Sequence, residues 1–359
     1  MTGQVAIHHR ERSFSDRWIA YCKSHGIRYN VVNCLDSNII EQLGSSAVLL
    51  WHWQHVDPRD QLIARDVIMA AEAMGIIAFP SISTCWHFDD KIAQKYLLEA
   101  IGAPLVPTFV FYDLKEALSW IDQTAFPKVF KLRKGAGSSN VRLVHGVAEA
   151  RALAQRAFSS GFSATPHYGH DSMKRYRAAR QSGDLLNVFK RIPKVLARIR
   201  DNRKMIGREK GYIYFQDFIP NNDFDTRVTV IGERAFGFTR NVRSGDFRAS
   251  GSGDIVYDLH RIRQGCIEIA FEVTRKIGSQ SMAFDFVLDE KQRPLILEVS
   301  YGFNAKAVYS CPGHWDAKLN WRQGNIWPQD AILIDLLHSV DPSGQYSIQP
   351  EASPVIFGL

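Results

Sequence analysis

The 359-residue sequence has no apolar run near the roughly 20 residues that a membrane-spanning helix requires. Its opening stretch, MTGQVAIHHRERSF, lacks the apolar core and cleavage site of a secretory signal, so the cytoplasm is the expected location. The five cysteines, Cys22, Cys34, Cys85, Cys266 and Cys311, form no CxxC pair and are odd in number. That argues for reduced thiols and against a disulfide framework or a cysteine zinc site. No two histidines have convincing zinc spacing, and no Ser/His/Asp nucleophile arrangement is evident. The Walker loop GxxxxGK[ST] is missing too. Internal repeats and low-complexity tracts are absent, which excludes solenoid and linker classes.

What is present is the composition of a globular protein, 45% hydrophobic and 11% aromatic. The net charge of +7 is concentrated: residues 170–210 hold 13 Lys and Arg against 4 Asp and Glu. The rest of the chain is nearly neutral, so the basic balance alone does not indicate a nucleic-acid partner.

The N-terminal pattern alternates strands and helices. GQVAIHH, IRYNVVN, SAVLLWHW and IIAFPS read as strands. SFSDRWIAYCKSHG reads as a helix capped by Ser13 or Ser15 and stopped by Gly26, and PRDQLIARDVIMAAEAMG as a second, opened by Pro58. Residues 1–88 are therefore expected to form a small doubly wound parallel α/β domain. DDKIAQKYLLEAIGAP is a further helix beginning near Asp89, and DLKEALSWID a short one. GYIYFQDFI, FDTRVTVIG and RAFGFTRNV read as successive strands, followed by a helix over about 264–278 and the strands SMAFDFVLD and RPLILEVS.

Two stretches carry chemistry. PKVFKLRKGAGSSNVRLV, residues 127–144, places Lys131 in an apolar run, follows it with a small-residue loop and returns through a second apolar run. In SMAFDFVLDEKQRPLILEVSYGFN, Phe284 and Phe286 alternate with Ala283, Asp285 and Val287, so Asp285 faces away from the aromatic side. Pairing Leu288 with Leu295 across the DEKQR turn would set Asp285 opposite Glu298, with Ser300 on the same face. Two carboxylates so placed repel unless a cation lies between them. Hard oxygen ligands suit Mg2+, which completes its shell with water and phosphate oxygens. The plainer alternative, solvated acids on an exposed hairpin, sits poorly with the low strand propensity of Asp and Glu.

The order of these pieces is specific: Lys91 opening a helix, Lys131 before a glycine loop, YFQDFI, FDTRV, the arginines of TRNVRSGDFRASGSGD, then FDF and LEVS. Over about residues 89–305 the chain resembles the ATP-grasp superfamily of carboxylate–amine ligases. The resemblance implies an α/β (α+β) ATP-grasp fold at about 89–345 behind the N-terminal α/β domain. It would have a mobile lid at about 124–215, with a basic insertion at about 165–210, and a C-terminal antiparallel-sheet subdomain at about 216–345, with the nucleotide between them.

The implied cofactors are ATP and Mg2+. Lys91 and Lys131 match the nucleotide-contacting lysines, with Lys131 near the α-phosphate and adenine. Gly135, Gly137, Ser138 and Ser139 match the loop covering the phosphates, whose backbone N–H groups approach phosphate oxygens unobstructed. Gln216, Asp217, Phe218 and Ile219 match the hinge that reads the adenine edge, although the family more often has Glu at the position of Gln216. Asp225 and Arg227 match a paired Asp and Arg. Arg240 matches a cation beside the terminal phosphates, and Arg227, Arg240 and Lys131 are the catalytic candidates. Arg243, Arg248 and Ser250 are assigned to substrate. Asp285 and Glu298 match the metal carboxylates, while Ser300 stands where the family has Asn and Asn304 is the nearby substitute.

The implied reaction forms an amide from a carboxylate and an amine through an acyl phosphate, with release of ADP. A sugar uronate or peptide is the candidate acceptor and an amino acid the candidate amine. The run FDTRVTVIGERAFGFTRNVRSGDFRASGSGD is also similar to uncharacterised ATP-grasp proteins associated with bacterial surface-polysaccharide synthesis. LLNVFKRIPKVLARIR, interrupted by Pro193, has a basic amphipathic pattern suited to an anionic or lipid-linked acceptor at the inner membrane face. A solvated insertion is the plainer reading. A homodimer is left open. The rivals are a phosphotransferase acting on a hydroxyl and a nucleotide- or nucleic-acid-binding protein without catalysis. Cys311, the pair His8 and His9, and the run Trp51, His52, Trp53 are candidate substrate contacts, each better read as ordinary structure.

Overall fold

A computed structural model describes residues 4–55, 57–135, 140–163, 207–243, 245–249 and 251–344. Gly137, Ser138, Ser139, Ser250 and nearly all of the basic insertion lie outside the described residues. No helix among the described residues is long and apolar enough to cross a membrane.

The first sheet is parallel, in the order β2 (Tyr29–Val32), β1 (Gln4–His8), β3 (Ser46–Leu50), β4 (Ile77–Phe79). Its central strands are continuous apolar runs because helices cover both faces. Those helices include α1 (Phe14–Ser24), the short α2 (Ile39–Leu43) and α3 (Pro58–Ala73). Proline at the first turn of α3 and the Asp57 side chain accepting the Arg59 N–H explain where that helix begins. After the short α4 (Ile82–Cys85), α5 (Lys91–Ala100) starts behind Asp90, whose carboxylate accepts the N–H groups of Ile92 and Ala93. The cap is thus Asp90, and Asp89 before it has a left-handed backbone, φ 54°.

The second sheet is antiparallel, in the order β5 (Thr108–Phe111), β10 (Ile213–Asp217), β6 (Lys128–Lys131), β7 (Val141–Val144). Phe130, Phe215 and Ile213 pack there against α6 (Leu114–Gln123) and α7 (Val147–Phe158). A small pair, β8 (Phe162–Ser163) and β9 (Arg208–Glu209), flanks it.

The third sheet is also antiparallel and has seven strands: β15 (Pro294–Ser300), β14 (Ser281–Leu288), β11 (Phe224–Ile231), β12 (Arg234–Asn241), β16 (Gly313–Asp316) and β17 (Trp321–Gln323), with β13 (Ile255–Val256) paired to β12. Phe284 and Phe286 enter a core with Ile267, Ala270 and Phe271 of α8 (Gln264–Ile277). That leaves Asp285 on the opposite face. The expected Leu288–Leu295 pairing is replaced by Leu288–Pro294, and one extra residue, Leu297, restores Asp285 to its place opposite Glu298. A bulge of this kind inserts one residue without losing the strand.

The short α9 (Ala305–Tyr309) and α10 (Pro328–Val340) complete the chain. Ile332, Leu333, Leu336 and Leu337 of α10 share one core with the first sheet and with Tyr301. Arg17 of α1 forms a bidentate pair with Asp330 at 2.9 and 2.7 Å, and the Trp18 indole donates to the Gln329 carbonyl at 2.9 Å.

Candidate active site

A cavity of about 620 Å³ lies between the second and third sheets, and one of about 330 Å³ lies beside it, bounded partly by the residues that follow β3. Both are within the size range of small-molecule sites. Asp285 and Glu298 border both cavities, so β14 and β15 form the wall between them.

Antiparallel register builds that wall. Asp225 on β11 lies opposite Arg240 on β12, Arg227 opposite Asp285, and Asp285 opposite Glu298. Directly opposed residues on one face of a sheet are contact partners. Arg227 grips Asp285 through two bonds of 2.6 and 2.7 Å. Arg240 binds Asp225 at 2.8 and 2.5 Å and also reaches Asp285 at 2.9 Å. Asp225 and Arg227, expected as a pair, are each bonded across to a neighbouring strand, Asp225 to Arg240 and Arg227 to Asp285. Burial would raise the Asp285 pKa, but the guanidinium groups of Arg227 and Arg240 outweigh it and hold the carboxyl well below the usual range.

The larger cavity collects most of the expected nucleotide residues: Lys91, Lys131, Gly135, the hinge Gln216 to Ile219, and Asp225. Lys131 donates to the Gln216 side chain at 2.5 Å, and Gln216 in turn donates to Thr108 at 3.1 Å. Burial pulls the Lys131 amine down to about 8, against the pull of Glu298 and with help from Lys91. Lys91 stays charged: burial opposes its charge, yet Glu298, 3.6 Å away, and Asp89 raise its pKa. Asp217 pairs with Lys128 at 2.5 Å. Arg243 and Arg248, expected at the substrate, line this larger cavity as well, with Arg248 bound to Asp246 at 2.6 Å.

The smaller cavity collects Arg227, Arg240, Ser300 and Asn304 with His52, Trp53, Gln54 and His55 of the first domain. His52 is stacked on Phe14 at 3.8 Å and bonded to Ser13 at 2.9 Å, and burial holds it neutral by lowering its pKa to about 3. His52 and Trp53 thus border the smaller cavity, whereas Trp51 is core and His8 is bound to the Cys34 N–H at 2.9 Å. Cys311 is buried, with contacts to the Gly237 and Ala307 carbonyls. Sequence reasoning missed Gln54, His55, Phe88 and Asp89, all of which border the smaller cavity. Only Asp89 carried a signal, as the extra acid before a capped helix.

The carboxylates of Asp285 and Glu298 on a shared wall are hard oxygen donors and fit a magnesium ion that takes the rest of its shell from water and phosphate. The expected third ligands have other partners: Ser300 donates to the Gly302 carbonyl at 2.8 Å, and the Asn304 oxygen accepts the Ala307 N–H at 3.1 Å as the cap of α9. Among the described residues, no group of three or more His, Cys, Asp or Glu side chains is placed to hold a metal.

Residues 190–309 match the model of the RimK-like ATP-grasp domain. No curated protein matches the chain in sequence. Among solved structures, the chain is similar to a RimK domain ATP-grasp protein from Sphaerobacter thermophilus, at 16% identity and a TM-score of 0.51, covering 82% of this chain and 90% of that one. The D-alanine–D-alanine ligase of Bacillus anthracis gives 13% identity and a TM-score of 0.56, covering 96% of this chain and all of that one. Biotin carboxylase of Campylobacter jejuni gives 12% identity and a TM-score of 0.57, covering 93% and 71%. The chain has the ATP-grasp fold, and the stretch that matches the RimK-like model is residues 190–309.

Proposed function

We propose that the protein is an ATP- and Mg2+-dependent carboxylate–amine ligase that releases ADP. The observation that carries this reading is the pair of cavities sharing Asp285 and Glu298, one lined by lysines and a hinge strand, the other by Arg227 and Arg240. The larger cavity would take the nucleotide, with its base at Gln216 to Ile219 and its phosphates toward Lys91 and Lys131. Asp285 and Glu298 would hold magnesium, which neutralises charge on the transferring phosphoryl group.

A carboxylate in the smaller cavity would face Arg227 and Arg240 and attack the γ-phosphorus, so that the phosphoryl group leaves ADP. An amine would then attack the resulting acyl phosphate and expel phosphate. Catalysis here is chiefly positioning and charge neutralisation. The neighbouring ligases named above support the reaction class. The acceptors we would place first are amino acids, short peptides and sugar uronates, the last on the likeness to proteins of surface-polysaccharide synthesis.

The test is ADP release with magnesium across amino acids paired with those carboxylates, with mass spectrometry of each hit. A product lighter by one water than its two parts establishes the ligase. A product heavier by one phosphoryl group makes it a phosphotransferase.

A further inference from the structure

Three consecutive residues hold the stretch that leaves β6 toward the glycine loop. The Asp89 side chain accepts the Gly135 N–H at 2.9 Å. Asp90 takes the Arg133 guanidinium at 2.8 and 2.5 Å. Lys91 completes the grip: its N–H donates to the Arg133 carbonyl at 3.0 Å and its amine to the Gly135 carbonyl at 2.8 Å. Both backbone polar groups of Gly135 are therefore satisfied from residues 89 and 91. Asp89 makes this contact from a left-handed backbone at φ 54°. That region disfavours residues other than glycine, with Asn and Asp tolerated best. An unfavourable backbone kept at the border of a cavity is a reason to look for a role.

We propose that Asp89 is a positioning residue for nucleotide binding: its hydrogen bond to Gly135 fixes the exit of β6, which keeps Lys91 and Lys131 in the wall of the larger cavity. Asp89 faces the smaller cavity, so the nucleotide would touch Lys91 and Gly135 rather than Asp89 itself. The inference rests on reading the larger cavity as the nucleotide site. It extends that reading by making a residue outside the cavity responsible for affinity.

Two variants separate the carboxylate from the backbone. Asp89→Asn keeps an oxygen acceptor and tolerates the left-handed conformation, while Asp89→Gly keeps that conformation and removes the acceptor. With the full chain, MgADP titrated by calorimetry should bind Asp89→Asn within about twofold of the unaltered protein and Asp89→Gly about tenfold more weakly. The melting temperatures of the two variants should agree within about 3 °C. Without nucleotide, trypsin should cut the Lys134–Gly135 bond faster in Asp89→Gly than in Asp89→Asn.

Equal MgADP affinity in Asp89→Gly and the unaltered protein would overturn the proposal. So would an Asp89→Asn variant as weak as Asp89→Gly, since the hydrogen bond would then not be the cause. If the unaltered protein bound no MgADP, the nucleotide reading itself would fall. The cleavage comparison would still judge the anchor, and equal cutting rates would reject it.

Discussion

Lys131 on β6 donates a 2.5 Å hydrogen bond to the side-chain oxygen of Gln216 on β10, a neutral amide. The amine is buried and its pKa falls to about 8. A charged lysine attracts phosphate and a neutral one does not. MgADP affinity should therefore decline as pH rises through about 8, by no more than about tenfold per pH unit for this one proton. Gln216→Glu should move the decline to higher pH, and a titration series from pH 6.5 to 9.5 reads both. A flat profile would remove Lys131 from the nucleotide site. The same shift has a stability consequence of opposite sense. Between about 8 and 10.5 the unfolded chain keeps a proton that folded Lys131 has released, so this residue's contribution to stability rises with pH in that window.

The two wall carboxylates should separate stability from activity. The Asp285 side chain is 8% exposed and held by two arginines, whereas that of Glu298 is 35% exposed. Asp285→Asn would leave buried guanidinium groups facing a neutral partner and should destabilise the fold by about 3–5 kcal/mol. Glu298→Gln should cost about 1 kcal/mol or less, yet lower magnesium-dependent ADP release by about 100-fold or more. Thermal melts and the ADP assay check this together. Full activity in a stable Glu298→Gln variant would count against the metal assignment. Because the Asp285 pKa is depressed, its stabilising contribution is present at neutral pH and is lost as pH falls below about 4.

Asn304 allows a cleaner test of the third metal position. As the cap of α9 it should cost about 1 kcal/mol when replaced by Ala, whereas Asn304→Ser keeps a capping oxygen. If Asn304 also ligates magnesium, both variants should need several-fold more magnesium for half-maximal ADP release. A change confined to the melting temperature of Asn304→Ala would leave Asn304 as a cap alone.

The contact between α1 and α10 should be decisive for the first domain. The side chains of Arg17 and Asp330 are 15% and 7% exposed. Asp330→Ala would take the carboxylate from a mostly buried guanidinium and should lower stability by about 2–4 kcal/mol in denaturant unfolding. The double change Arg17→Met with Asp330→Leu should recover most of that loss, because an apolar pair of similar size needs no charge compensation.

Strand and helix patterns carried much of the architecture. Alternation in AFDFVL set Asp285 apart from Phe284 and Phe286, and helix 264–277 ends at the left-handed Gly278 one residue short of the expected bound. The pairing of Asp285 with Glu298 was legible from the hairpin, whereas the partners of Asp225 and Arg227 were not. Nothing in FDTRV indicates that Asp225 turns to Arg240 while Arg227 turns to Asp285, because that depends on which strands become neighbours and in what register. The Leu297 bulge was hidden for the same reason: one inserted residue changes the pairing without changing the pattern of apolar positions.

The sequence by itself determined the parts: a lysine before a glycine loop, two acids on adjacent strands, and a run of strands alternating with helices. Those follow from local rules of period, capping and charge that act over a few residues. Only the tertiary structure decided that His52 to His55 would meet Asn304 across the smaller cavity, that α10 would return to the core of the first sheet, and that Asp89 would hold Gly135. Each of these joins segments far apart in the chain, held by packing and hydrogen bonds that no short window of residues contains.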